Sequence, residues 1–297
     1  MTDFKQAMTD IADAVTEVLD DLLEQTEGSE NRLLEAMRYS SLSGGKRVRP
    51  FLVVATSDLF GVARSRSLRA AAAIEMIHCY SLIHDDLPAM DNDDLRRGMP
   101  TSHIKFDEAT AILTGDALLT KAFEVLASPE THSDGAVRAD LCLAFAKASG
   151  DRGMVGGQML DLVAEDKDLD LDVPAVTRLQ RMKTGELISV SCKAGCLLGS
   201  ASPEANGLLK AYSHDIGLAF QIADDLLDVE GSAEEVGKAT GKDEAAGKAT
   251  FVSLLGADSA RDQANMLSTQ AAQHLDFFGG KAGLLQDLAR FIVSRKS

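Results

Sequence analysis

Apolar residues recur at helical spacing along nearly the whole chain. Residues 4–25 set Ile11, Val15, Val18, Leu19, Leu22 and Leu23 on one face, and 31–40 do the same with Leu33, Leu34 and Met37. The same period predicts helices from Phe51, over 105–126 and 134–148, after Pro174, over 202–229, 251–275 and 281–294. Two stretches differ from these. Ala70 to Asp85 and Ile216 to Val229 are apolar nearly all round, the pattern of a buried helix. There is no alternating strand pattern, no repeat beyond two aspartate motifs and no linker long enough to divide the chain. The expectation is an all-α protein forming a single domain over residues 1–297.

Both buried helices end in carboxylates. The first runs into Asp85-Asp86-Leu87-Pro88-Ala89-Met90-Asp91, followed by Arg96-Arg97; the second carries Asp224-Asp225-Leu226-Leu227-Asp228. At an effective dielectric of about 20, two like charges roughly 4 Å apart repel by about 4 kcal/mol, so such clusters need a cation. A hard divalent metal meets that need, and structural salt bridges are the alternative. Asp224 and Asp228 lie one turn apart and share a face. Asp85 and Asp91 are about 120° apart on a regular helix, so the helix must bend or unwind between them, and Pro88 supplies the means. The pair Asp20-Asp21, without this setting, reads as a solvated face.

Charge narrows the partners. A net charge of -16 over 297 residues opposes nucleic acid and anionic membrane surfaces. An anionic substrate then needs metal ions or local cationic clusters. Ser43-Gly44-Gly45-Lys46-Arg47-Val48-Arg49-Pro50 offers one, with three cations in four residues after a glycine turn; it is an anion cradle or a solvated loop. A Gly/Lys/Asp-rich loop over 237–248 offers another. The four cysteines, in apolar helical stretches, read as reduced core thiols. The N-terminus lacks a signal pattern and no apolar run approaches 18 residues, which predicts a cytoplasmic protein without a membrane span. Gly115, inside a helix, suggests close approach by a neighbour. Residues 152–162 place three glycines beside Gln158 and Asp161, which is either a helix crossing or a point where backbone meets ligand.

Taken in order, these motifs resemble the short-chain trans-prenyltransferases, the farnesyl/geranylgeranyl diphosphate synthase family. The match covers the knot at 44–50, Asp85 to Asp91 with Arg96-Arg97, Gly156-Gly157-Gln158, Lys183-Thr184, Phe220-Gln221 leading into the second aspartate motif, and the lysine loop. The resemblance implies a bundle of long antiparallel helices around a central cavity, the two aspartate motifs facing each other at its mouth, and a homodimer. It implies Asp85, Asp91 and Asp224 as chief Mg²⁺ ligands with Asp86, Asp225 and Asp228 close by, three ions with substrate bound, and Mn²⁺ as a substitute. Arg96, Lys183, Thr184, Gln221, Lys238 and Lys248 correspond to contacts with the allylic diphosphate; Lys183 and Lys238 join Asp85, Asp91 and Asp224 as catalytic residues. Lys46, Arg49, His78 and Arg97 correspond to the isopentenyl diphosphate pocket.

The reaction so implied condenses isopentenyl diphosphate with dimethylallyl or geranyl diphosphate, and Tyr80 bears on the product. A helical wheel favours Ser81 over Tyr80 as the floor beneath Asp85, whereas in the family the fifth residue before the motif forms it. An aromatic there, with the two-residue insertion containing Pro88, implies a C15 product, (2E,6E)-farnesyl diphosphate. The alternatives are a C20 geranylgeranyl synthase, a terpene cyclase, against which the second aspartate motif argues, and a non-catalytic partner subunit, against which two intact motifs argue.

Overall fold

The structure, a computed structural model, describes residues 2–25, 27–29, 31–164, 172–230 and 250–295. It divides into two compact units, Met1–Leu143 with Leu197–Gly199, and Ala144–Cys196 with Ser200–Ser297.

The first unit is organised around a buried helix. Its elements are α1 (Thr2–Leu22), α2 (Asn31–Leu42), α3 (Val48–Leu59), α4 (Arg64–Asp85), β1 (Leu95–Arg96), β2 (Met99–Pro100), α5 (Ser102–Lys105), α6 (Glu108–Ala127) and the start of α7 (Gly135–Ser149). Every residue of α4 from Ala70 to Ile77 is buried, as the apolar run predicts, and α1, α2, α3 and α6 pack around it. Gly115 of α6 allows the approach its sequence suggested: a Cβ there would lie 2.1 Å from the His84 ring of α4. The helix expected over 105–126 begins later, because Asp107 accepts the Thr110 amide at 2.7 Å and fixes the N-cap. Absence of strands was expected, yet β1 and β2 form a minimal antiparallel hairpin. Its turn, Arg97-Gly98, has φ of 54° and 74°, the left-handed pair that a two-residue primed turn requires.

The second unit is built on α11 (Pro203–Glu230), which follows α8 (Met154–Ala164), α9 (Val173–Gln180) and α10 (Glu186–Leu198). A π-helical turn, Arg181–Gly185, joins α9 to α10 without a break in helical backbone. Beyond Thr250 come α12 (Phe251–Leu255), α13 (Ala257–His274) and α14 (Gly283–Ser294). The helix expected over 251–275 is split at Gly256, whose φ of 81° and ψ of 152° belong to a region only glycine adopts readily. The last helix starts at Gly283 rather than 281, behind a 3₁₀ segment, Asp276–Ala282. α13 and α14 pack on α11, and α8 packs on the π turn. All four cysteines are free thiols, though Cys142 is only half-buried; burial pushes Cys79 up to about 12 and Cys196 up to about 11.

Of the glycines in 152–162, Gly157 serves a helix crossing. A Cβ on Gly157 would lie 2.2 Å from the Lys183 backbone nitrogen, so α8 approaches the π turn at a distance only glycine permits. Gly157→Ala is expected to destabilise the protein by about 2–3 kcal/mol, because backbone rather than a movable side chain must yield; urea unfolding measures it, and a loss below about 0.5 kcal/mol would contradict the crossing's tightness.

Candidate active site

In the first unit the aspartate motif begins where α4 stops. Asp85 is its last residue, and the helix ends there rather than bending. Residues 86–92 wrap back, so that the Asp91 amide donates to the Asp85 carbonyl at 2.9 Å. Pro88 sits exposed in this turn, and the angular mismatch between Asp85 and Asp91 is resolved by leaving the helix. The two adjacent carboxylates then part company. Asp86 is 3% exposed, and Arg96 grips both of its oxygens, with Nε donating at 2.8 and 2.9 Å. Asp85 is half-buried and Asp91 exposed, at a helix C-terminus whose dipole favours cations.

The cationic knot has a buried root. Arg47, at a left-handed φ of 47°, sends its guanidinium into the core to Glu75 of α4 and to the Ser41 carbonyl, both at 2.5 Å. Lys46 is left exposed and Arg49 half-buried. Arg97 lies on the Gly44-Gly45 turn, donating to the Gly44 carbonyl. A Cβ on Gly45 would be 2.7 Å from that guanidinium carbon, so the second glycine is a seat for the side chain. His78 joins the group: burial first, then the cations of Arg49, Arg97, Arg96 and Arg47, hold its imidazole well below the usual histidine range. The charges of Arg49 and Arg97 thus act on the His78 imidazole and oppose its protonation. Of the two candidate floor residues, Tyr80 is buried and Ser81 half-buried, its hydroxyl folded back on the His78 carbonyl at 2.8 Å.

In the second unit the same division recurs near the C-terminal end of α11. Asp225 is 3% exposed and accepts from Gln221 at 3.0 Å and from the Phe251 amide at 2.9 Å, so it anchors the start of α12. Asp224 is half-buried and takes a hydrogen bond from Arg295, whose guanidinium carbon stands 4.0 Å over the Phe220 ring. Asp228, one turn on, keeps one carboxylate oxygen buried without a hydrogen-bond partner among the described residues. Lys183, on the π turn beside half-buried Thr184, donates to Asp161 at 2.7 Å. Lys238 and Lys248 lie outside the described residues.

This order of motifs is shared with known proteins. The polyprenyl synthetase family model matches residues 30–276. The chain belongs to the polyprenyl synthetase family. Farnesyl diphosphate synthase of Escherichia coli (strain K12) is 47% identical over 270 residues, 89% of each chain. The large subunit 1 of a chloroplastic heterodimeric geranylgeranyl pyrophosphate synthase from Arabidopsis thaliana is 43% identical over 99% of this chain and 80% of its own. The crystal structure of an FPP/GFPP synthase from Zymomonas mobilis superposes with a TM-score of 0.91 at 49% identity, covering 98% of this chain and 99% of that one.

The donor set of this polyprenyl synthetase fits a hard divalent cation. Both motifs present carboxylates at helix C-termini, and the buried orphan oxygen of Asp228 is a group that such an ion would satisfy. Among the described residues no three acidic, histidine or cysteine side chains form a ready cage.

Three supporting residues escaped the sequence reading. Arg295 stands 71 residues from Asp224 and carries no local signal. Arg47 lay inside the knot without a distinct role. Glu75 was detectable, being a lone carboxylate in an alanine and isoleucine run, which demands a partner as surely as Asp85 does. With side chains 1% and 2% exposed, Arg47 and Glu75 form the most deeply buried of the described ion pairs. Glu75→Ala is expected to cost about 3–5 kcal/mol by stranding the guanidinium, and Glu75→Gln less, since the amide keeps an acceptor. Denaturant midpoints of the two variants measure the difference, and equal stability of wild type and Glu75→Ala would refute it.

Proposed function

We propose that this polyprenyl synthetase is a farnesyl diphosphate synthase, joining isopentenyl diphosphate to dimethylallyl or geranyl diphosphate with release of diphosphate. The observation that carries the reading is the cluster of Arg49, Arg97 and His78 beside the first aspartate motif in a chain of net charge -16. A terpene cyclase has no need of such a second anion pocket. Names of relatives support the class, and they include both farnesyl and geranylgeranyl synthases.

In this reading Lys46, Arg49, Arg97 and His78 hold the isopentenyl diphosphate. His78, kept neutral by burial and four guanidinium groups, contributes a hydrogen bond without adding charge. Lys183, Thr184, Gln221 and Arg96, with Lys238 and Lys248, hold the allylic diphosphate. Asp85, Asp91, Asp224 and Asp228 hold magnesium, three ions with substrate bound, or manganese in its place. A metal held by these carboxylates would supply positive charge to the departing diphosphate while the allylic carbon–oxygen bond breaks. The isopentenyl double bond attacks the allylic carbon, and a proton leaves to the released diphosphate. No protein nucleophile takes part; the side chains orient two anions and stabilise charge as it moves. Asp86 and Asp225, bound to Arg96 and to the α12 amide, serve as posts that fix the metal-binding turns. Both motifs serve one reaction, and the chain acts as one catalytic domain over 1–297, as a homodimer in the cytoplasm. None of the described helices is long and apolar enough to cross a membrane.

The test is an assay with isopentenyl diphosphate, each allylic starter and Mg²⁺, followed by product sizing. Asp85→Ala and Asp224→Ala should each lower kcat by several orders of magnitude. Arg49→Ala should raise KM for isopentenyl diphosphate well beyond that for the allylic partner. Equal loss for both substrates would argue against separate pockets, and near-normal turnover in either aspartate variant against metal binding there.

The C20 reading is favoured by the geranylgeranyl relatives, and Tyr80 supports C15. Its ring is 8% exposed, a bulk that fills the interior one turn below the motif. Wild type should therefore make C15, and Tyr80→Ala should open room for at least one five-carbon unit and shift the main product to C20 or longer. A wild type making mainly C20 would place the limit deeper.

A further inference from the structure

The residue that limits product length is only as good a floor as its ring is fixed. Tyr80 and His84 lie one turn apart on α4, and their rings meet edge to face, centroids 5.2 Å apart at 85°. His84 is fixed in turn by α6. Its Nε2 stands 3.0 Å from the Ile112 carbonyl, which makes that nitrogen the protonated one of the pair, and 3.9 Å from an Asp116 oxygen. The imidazole occupies the space that a side chain at Gly115 would take: a Cβ there would fall 2.1 Å from Nε2 and 2.4 Å from Cδ2. Burial, then the Asp116 carboxylate, pushes the Tyr80 phenol up. Glycine in mid-helix is disfavoured against alanine, so its presence within α6 has a use.

We propose that His84 and Gly115 are positioning residues for product length: the bare backbone of Gly115 provides the socket in which the His84 imidazole stands, and the imidazole braces the Tyr80 ring across the growing chain's path. This rests on the reading of Tyr80 as the floor. Nothing in it requires His84 to touch substrate. The brace works by removing rotamers. Tyr80 has two side-chain torsions, and an edge contact on the side toward the motif leaves its ring one place to stand.

Two variants separate the brace from general packing. Gly115→Ala favours the helix itself and meets the imidazole first, whose atoms are the three nearest to the added Cβ. His84→Ala removes the imidazole and introduces no clash, so it keeps the test open if Gly115→Ala does not fold. Both are assayed for the C15 to C20 ratio, which a lower rate next to Asp85 does not by itself change, with Tyr80→Ala run beside them. The expected result is a product mixture in both, the C20 share rising about tenfold or more over wild type and approaching that of Tyr80→Ala. An unchanged ratio in His84→Ala, with Tyr80→Ala lengthening the product, overturns the brace while the floor stands. An unchanged ratio in Tyr80→Ala overturns the floor and the brace together.

Discussion

The ion pair between Arg47 and Glu75 underlies the first half of the site. Stripping two such charges of water costs several kcal/mol each, and only their close, hydrogen-bonded contact offsets it. The pair therefore forms as a unit or not at all. Once formed, it pins the residue after Lys46 in a left-handed conformation and ties the turn at 44–47 to the middle of α4. That turn seats Arg97, and the helix carries His78 and Asp85 within its next three turns. A contact with no proposed part in the chemistry thus locates the groups proposed to carry it.

The same economy appears in the aspartates. Each motif opens with two adjacent carboxylates, and successive helical residues point about 100° apart. One of each pair, Asp86 or Asp225, is turned inward and satisfied by the protein: Arg96 for the first, Gln221 and the Phe251 amide for the second. The other, Asp85 or Asp224, faces outward far enough to remain half-exposed. Asp224 leans on Arg295, and both outward carboxylates stand where a helix dipole draws positive charge. Each doubled aspartate is thus a buried support joined to an outward carboxylate, and the support is what makes the outward one's direction definite.

Much of this was legible in the sequence because it is local. The all-round apolar runs gave α4 and α11 as buried helices, and burial made their carboxylates conspicuous. Pro88 signalled that the helix bends or unwinds before Asp91. What sequence withheld depends on which neighbours arrive. Asp86 cannot be told from Asp85 without knowing where Arg96 lies, and Gly157 cannot be told from a ligand-facing glycine without Lys183 beside it. Gly256 broke a helix that the apolar period had carried through, since periodicity reports a face and is silent on a single backbone angle. The hairpin at 95–100 escaped because two residues per strand are too few to alternate.

The π turn at Arg181–Gly185 gives helix α9–α10 one residue more than a regular helix would use over that span. Deleting one residue there would restore an unbroken α-helix, with better backbone hydrogen bonds, and the chain would fold with less local strain. Every side chain before the deletion would then be rotated by about 100° against every one after it. Lys183 would leave Asp161, and Gly157 would meet a different backbone atom. The helix would be improved and its register lost, so the irregularity persists as the cheaper of two errors, preserved by what it aims rather than by what it stabilises.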